Sequence, residues 1–363
     1  MKALKKKKPK KTYVFEITYL GGKLSLEQPI NVTGKEIFME VCACLGISEY
    51  WYFGLQYESS KRHPLWVRPN TKVHPLVCKD SAPLFFLVKY YPEEIGRVQE
   101  DVSMELIYKQ CKISIVTGAI TTPPETSILL ASYILQAEKG EWPSVDYTRL
   151  IISDYLAPSV LESAPLSHQM WLDSLKSWHR QQSGLDACEA RLEFMRLAQY
   201  LGMYGVSYFP AKYQGLTVWI GVHPKGINIY DDGLVVPKVS LKWIFIRMIH
   251  YSCRKFIIKT MLNQVMEYTF HLKSLRMTRQ VFEFAVGYHH LYLRSRSGPA
   301  QELRSAPQPK ISDEAYNEVT EHICKNETVF KEKNVKKISR RFTGKSELAD
   351  VKEEEESLIK EST

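Results

Sequence analysis

The chain has 363 residues, 44% of them hydrophobic and 12% aromatic, and a formal net charge of +9. That is enough apolar sequence for two or three packed domains, and it excludes a wholly disordered or fibrous chain. Seven cysteines are scattered with no CxxC pair and no His/Cys cluster at zinc spacing, so the simplest reading is reduced thiols in a cytosolic chain without a metal or cofactor site.

The ends carry no membrane signal. No apolar run approaches the ~20 residues of a membrane span. The lysine-rich start has no apolar signal core behind it, and neither terminus encodes lipidation. The positive charge is patterned. Lysines crowd positions 2 to 11, and a second group is Lys61, Arg62, Arg68 and Lys72. A third runs through Arg247, Arg254, Lys255, Lys259, Lys273, Arg276 and Arg279. Each group alone reads first as a solvated face; together they seek phosphate, as anionic membrane or as nucleic acid. No zinc-finger, RRM or homeodomain signature supports nucleic acid, so that partner is not expected. The lysines at 2 to 11 leave a nuclear localisation signal open.

Residues 1–11 form a basic leader, and residues 12–92 read as a small α/β unit. Tyr13 to Tyr19 is strand-like, Gly21-Gly22 turns, and Lys23 to Glu27 returns with strict alternation. Thr33 and Glu36 are spaced as a capping box, and Ile37, Val41, Cys44 and Leu45 are the expected buried face of the helix behind it. Trp51 to Tyr57, Leu65 to Val67 and Leu84 to Tyr90 supply further strands. The order β-β-α-β-β is that of a ubiquitin-like fold.

Residues 93–205 read as a helical bundle. Helices are expected from Asp101, behind a capping box at Thr122 to Glu125, and behind Ser167, whose helix puts Trp171, Leu175 and Trp178 on one face. A last helix from Asp186 places Phe194, Leu197, Ala198 and Leu201 at i, i+3, i+4 and i+7, with Glu193 and Arg196 left to water and Gly202 and Gly205 ending it. Val206 then starts a strand with no linker between, so the two units should act as one body.

Residues 206–297 carry about seven strand-like runs and one final helix, the outline of a pleckstrin-homology or phosphotyrosine-binding-like sandwich. That helix has two apolar stripes. Val281, Phe284, Ala285 and Tyr288 form the one that plugs the sandwich; Phe282, Val286 and His289 form another. The second stripe leaves two readings open: packing on a neighbouring domain, or a groove beside a free strand edge that takes an extended peptide. Residues 298–363 are polar, with a basic block from Lys331 and an acidic one at Glu353 to Glu356, a composition that favours disorder.

Several stretches carry a resemblance. They are Glu49 to Tyr57, Lys89-Tyr-Tyr-Pro-Glu93, Pro123 to Tyr133, Met203 to Phe209, Gly226 to Tyr230 and His289 to Arg294. In this order and spacing the chain resembles the FERM module of the ezrin, radixin, moesin and merlin proteins and, more distantly, band 4.1. The resemblance implies a multidomain α+β module of three lobes: ubiquitin-like, acyl-CoA-binding-protein-like, and a PH/PTB-like β-sandwich with a C-terminal helix.

It also implies a function. The family joins phosphoinositide membrane and the cytoplasmic tails of receptors or adhesion proteins to the cortical actin cytoskeleton. By motif position, its lipid cleft corresponds here to Arg68, Lys72, Arg276 and Arg279, with Thr71 where a lysine is usual. Its second basic patch corresponds to Arg254 and Lys255, with Asn263 and Gln264 where the family is basic. Its peptide groove corresponds to Ile246, Ile249 and Tyr251 on the strand and Phe282, Val286 and His289 on the helix, which favours the groove reading of the second stripe.

The expectation is a non-enzymatic adaptor at the cytoplasmic face of the plasma membrane, touching actin indirectly. The alternative is a merlin-like or band 4.1-like scaffold working mainly by protein–protein contact with weak lipid affinity. No long coiled coil follows the module, so direct F-actin binding and head-to-tail masking lack a sequence basis. No Cys-x5-Arg loop, Gly-rich phosphate loop or His-Arg-Asp motif is present, so catalysis is not expected.

Overall fold

Strand alternation and helical periodicity resolve into three lobes in a computed structural model, which describes residues 11–58, 64–80, 83–164, 166–231, 234, 236–261 and 265–297. The expectations for residues 1–10, for Lys61 and Arg62, for Asn263 and Gln264, and for the tail from residue 298 lie outside the described residues.

The first lobe runs β1 (Thr12–Tyr19), β2 (Gly22–Pro29), α1 (Gly34–Leu45), β3 (Phe53–Glu58), β4 (Pro64–Trp66), α2 (His74–Asp80) and β5 (Leu84–Val88). Its sheet has the order β2-β1-β5-β3-β4, with β1 and β5 parallel and the other pairs antiparallel. The Thr33–Glu36 capping box forms as spaced: Thr33 Oγ1 accepts the Glu36 amide and the Glu36 carboxylate accepts the Thr33 amide. Ile37 and Val41 are buried as expected, but Cys42 takes the core place expected of Cys44, which is exposed. The buried stripe is turned slightly from the expected one, towards Gly34 and Cys42.

The second lobe holds α3 (Asp101–Val116), α4 (Pro124–Lys139), α5 (Pro158–Ser163), α6 (His168–Gln181) and α7 (Ala187–Ala198). Three local expectations change. The box at Thr122 does not form, because Pro123 occupies the N-cap position; the Thr122 hydroxyl pairs instead with that of Ser127, 2.5 Å away. The helix from Asp186 stops at Ala198, short of Gly202, and tightens into turns in which Tyr200 and Leu201 donate to Leu197 and Ala198. Glu193 is buried rather than solvated, since α7 packs on both α3 and α4; Arg196 Nη1 meets its carboxylate at 2.9 Å. His179, unremarked in the sequence, is also buried. It faces Tyr147 Oη at 2.5 Å through Nδ1, and Gln136 Oε1 and Gly140 O at 2.9 Å through Nε2. Burial holds its pKa down, so the neutral ring fits: Nε2 donates and Nδ1 accepts from the tyrosine.

The third lobe runs β6 (Ser207–Tyr213), β7 (Leu216–His223), β8 (Gly226–Tyr230), β9 (Val239–Lys242), β10 (Ile246–Ser252), β11 (Lys255–Met261), β12 (Val265–Leu272) and α8 (Leu275–Ser297). Hydrogen bonding follows the order β10-β11-β12-β6-β7-β8-β9. The β6–β9 half and the β10–β12 half meet at a corner where His271 pairs with Lys212 and Leu272 with Ala211. Val281, Phe284, Ala285 and Tyr288 of α8 share one core with Val218 and Ile220 of the first half and Phe256, Ile258 and Phe270 of the second. The first stripe of the helix therefore closes the lobe.

Candidate functional site: an inter-lobe cleft and a strand–helix groove

The three lobes meet on α8. Tyr90, at the end of the first lobe, sets its ring edge-on to Phe284 and Tyr288, with centroids 5.7 and 5.1 Å away. A side chain at Gly287 would put its Cβ 2.2 Å from the Tyr90 ring, so glycine lets the helix approach this closely. The Tyr288 hydroxyl donates to Gly205 O at 2.7 Å and accepts the Tyr91 amide at 3.3 Å, so one side chain ties the ends of the first and second lobes to the third. Further along α8, the Arg294 guanidinium lies 3.4 Å over the Trp51 ring, Arg296 pairs with Glu93 at 3.1 Å, and Arg97 caps the Ser295 carbonyl at 3.0 Å.

The first and second lobes are clasped by two carboxylates. Glu49 accepts the Gln99 and Glu100 amides, while Glu100 accepts the Ser48 and Glu49 amides and the Ser103 hydroxyl. Burial works to raise the Glu100 pKa, but these hydrogen bonds outweigh it and hold the carboxyl below its ordinary value.

This junction positions the basic residues. Arg68 follows β4 and reaches α8, where its Nε lies 2.9 Å from Glu283 Oε1. Arg279 and Arg276 precede Glu283 by four and seven residues, hence share its face, and both are exposed. Lys72 is exposed a turn beyond Arg68, paired through its backbone with Thr33. Arg254 and Lys255 are exposed where β10 turns into β11; the Leu272 amide donates to Arg254 O at 2.9 Å, which brings this turn to the end of β12, just before α8. Behind Arg68 and Glu283, Lys89 Nζ sits 5.1 Å from the Tyr90 ring centroid and 5.5 Å from those of Trp66 and Phe284. Burial pushes the Lys89 pKa down to about 8, against the Glu283 charge, which raises it.

The second stripe of α8 borders β10. Phe282, Val286 and His289 are half-buried, as are Ile249 and Tyr251 on the strand. The Tyr251 and Phe282 rings lie 5.0 Å apart, and His289 lies between Trp243 at 5.8 Å and Tyr292 at 6.1 Å. Burial, then the charge of His290, keeps the His289 pKa below the usual histidine value. Ile246 is turned into the core and does not line this surface. Among the described residues β10 is a sheet edge: it pairs with β11 alone. Its opposite margin has no ladder partner among the described residues.

Comparison with known proteins identifies the architecture. Residues 22–77 match the FERM N-terminal domain, residues 93–209 the FERM central domain and residues 212–300 the FERM C-terminal PH-like domain. The chain belongs to the FERM family. It is similar to the FERM domain in the complex of the FERM and C-terminal domains of Drosophila Merlin, with 27% identity and a TM-score of 0.71, over 78% of this chain and 97% of that one. The Dictyostelium discoideum myosin VII MyTH4-FERM MF2 domain shares the fold at 16% identity and a TM-score of 0.63, over 77% of this chain and 59% of that one. The human myosin 7b C-terminal MyTH4-FERM domain, solved with the harmonin-a PDZ3 domain, does so at 12% identity and a TM-score of 0.59, over 78% and 60%.

Within this FERM module, sequence reasoning missed two residues of the cleft and two exposed apolar side chains at β10. Glu283 and Lys89 enter the cleft from different lobes, and nothing local in sequence links them to Arg68. Ile244 and Met248, 64% and 51% exposed, lie just before and within β10; Met248 pairs with Lys259 and so faces away from Ile249 and α8. The run Ile244-Phe-Ile246 was their available signal, but the register shift between Ile246 and Met248 breaks simple alternation. Among the described residues no helix is long and apolar enough to cross a membrane, and no group of three or more His, Cys, Asp or Glu is placed to hold a metal.

Proposed function

We propose that this FERM chain is a non-enzymatic adaptor linking membrane to cytoskeleton. It takes phosphoinositide headgroups at Arg68, Lys72, Arg254, Lys255, Arg276 and Arg279. It takes cytoplasmic tails of membrane proteins along Ile249, Tyr251, Phe282, Val286 and His289. The observation that carries this reading is the edge strand β10, paired on one side only among the described residues, beside a half-buried stripe on α8. An extended peptide adding to that edge satisfies the outward amides and carbonyls and covers the stripe in one step. Actin is reached through partners, and the working place is the cytoplasmic face of the cell cortex. Binding to protein partners has precedent in the relatives: the Merlin FERM domain is solved with its C-terminal domain, and the myosin 7b module with a PDZ domain.

A second reading, a scaffold with weak lipid affinity, draws support from Arg68, which already holds a carboxylate. Co-sedimentation with vesicles containing phosphatidylinositol bisphosphate, over a salt series, separates the two. The adaptor reading expects selective binding that Arg276→Ala with Arg279→Ala reduces severalfold. Equal binding to charge-matched phosphatidylserine vesicles removes the headgroup half and leaves the scaffold.

A further inference from the structure

The cleft contains an anion of its own. Glu283 comes from α8 and Arg68 from the loop after β4, and they meet at 2.9 Å across the boundary between the first and third lobes. Their side chains are 42% and 38% exposed, so a phosphate arriving from solvent can reach the guanidinium. The same carboxylate acts on Lys89, a cation held among the Trp66, Tyr90 and Phe284 rings just behind. Arg279 lies one helical turn before Glu283 on the same face. Glu283 thus stands where the cations of two lobes converge. A phosphomonoester carries a charge of about −1.5 to −2 near neutral pH, and it presents more acceptor oxygens than a carboxylate. It can serve the same cations once the carboxylate has moved aside.

We propose that Glu283 is a tethered competitor of the phosphate ligand, occupying Arg68 until a phosphorylated headgroup displaces it. This rests on the phosphoinositide reading of the cleft given above. The residue then sets both affinity and selectivity. A weakly charged anion does not displace it, whereas a polyphosphate that reaches Arg68 and Arg279 together does. Half-exposed ion pairs are weak, so the masking amounts to about a two- to fivefold loss of affinity and leaves the site usable.

Glu283→Gln keeps the shape and removes the charge. The Tyr90 hydroxyl donates to the Glu283 backbone carbonyl at 3.3 Å, so that inter-lobe bond survives the change. The experiment compares the full chain, E283Q, R68A and the double variant. Each is tested on phosphatidylcholine vesicles with phosphatidylinositol bisphosphate, on charge-matched phosphatidylserine vesicles, and with soluble inositol trisphosphate. E283Q is expected to tighten headgroup binding about two- to fivefold when Arg68 is present and not at all in the R68A background. A gain seen with inositol trisphosphate as well as vesicles assigns it to headgroup phosphate; a gain confined to bisphosphate vesicles assigns it to lipid in a membrane; either supports the proposal.

An equal gain in both backgrounds overturns it, because that is the effect of any lost negative charge. So does the absence of a gain in a protein that binds the bisphosphate selectively and is weakened by R68A, while the cleft reading survives. If binding is no stronger than to phosphatidylserine and R68A changes nothing, both readings fall together. Thermal unfolding checks the fold of each variant. If E283Q unfolds, Glu283→Asp replaces it: the charge stays and the reach shortens, so tighter binding there supports masking and unchanged binding overturns it.

Discussion

The two apolar faces of α8 are alike in character and opposite in fate. On one face Val281, Phe284, Ala285 and Tyr288 are buried, and the only polar atom among them, the Tyr288 hydroxyl, has partners on both neighbouring lobes. On the other, Phe282, Val286 and His289 are half-buried beside a strand whose outer edge has no ladder among the described residues. Composition does not separate them: each face carries aromatic rings and one side chain able to hydrogen-bond. What separates them is how the second layer is supplied. The first face receives it from within the chain, from Trp66, Tyr90 and the sheet core, and becomes a joint. The second, among the described residues, is covered on one side only and leaves part of its apolar surface in water.

The largest break of this contrast is expected at Tyr288. Tyr288→Ala should cost about 3–5 kcal/mol in urea unfolding, since it empties a fully buried aromatic site. Tyr288→Phe keeps the ring but leaves the Gly205 carbonyl and the Tyr91 amide unpaired, and should cost about 1–3 kcal/mol. If Tyr288→Phe is neutral, the joint is held by packing alone. Phe282→Ala, on the other face, should cost only about 1 kcal/mol, because the ring is half in water already. A cost as large as that of Tyr288→Ala would mean that the second face is structural, and the groove reading would lose its basis.

Acid should weaken the fold through histidine. Burial pushes the His223 pKa down to about 4, and burial lowers those of His179 and His289 as well. The unfolded chain therefore binds more protons than the folded one between about pH 6.5 and pH 4, so acidification across that window destabilises. The stability is fully present above the unfolded value of about 6.5 and falls as the pH drops towards 4, with His223 contributing at most about 3 kcal/mol. Carboxylates such as Glu100, held below their ordinary value, extend the loss at lower pH. Urea unfolding over that window measures it, and His223→Gln should flatten the slope.

Much of this fold can be read from period and capping. The box at Thr33 forms, although the one expected at Thr122 does not, and the two stripes of the last helix lie on the faces that their spacing requires. Short elements were missed: α2 and α5 span seven and six residues, too few to establish a period. Glu193 was misplaced because periodicity gives the polar side of a helix but cannot say that a second helix covers it. The cleft divides in the same way. Arg276 and Arg279 share a face by spacing alone, whereas the Arg68–Glu283 pair and the caging of Lys89 arise only when two lobes dock. Local chemistry is written in order along the chain; pairing between lobes is not.

The smallest expected effect sharpens the contrast most. Ile244 and Met248 lie just before and within β10 and are among the more exposed large apolar side chains described. Replacing both with serine removes little packing, so unfolding should change by no more than about 0.5 kcal/mol for each. Amide exchange then divides the explanations. The β11 and β12 amides bonded within the ladder should stay protected in the variant, and the outward amides of β10 should exchange fast with or without the substitutions. Slow exchange at those outward amides would mean that the edge is already covered by something within the chain. The second face of α8 would then be a joint like the first, and the difference between the two faces would disappear.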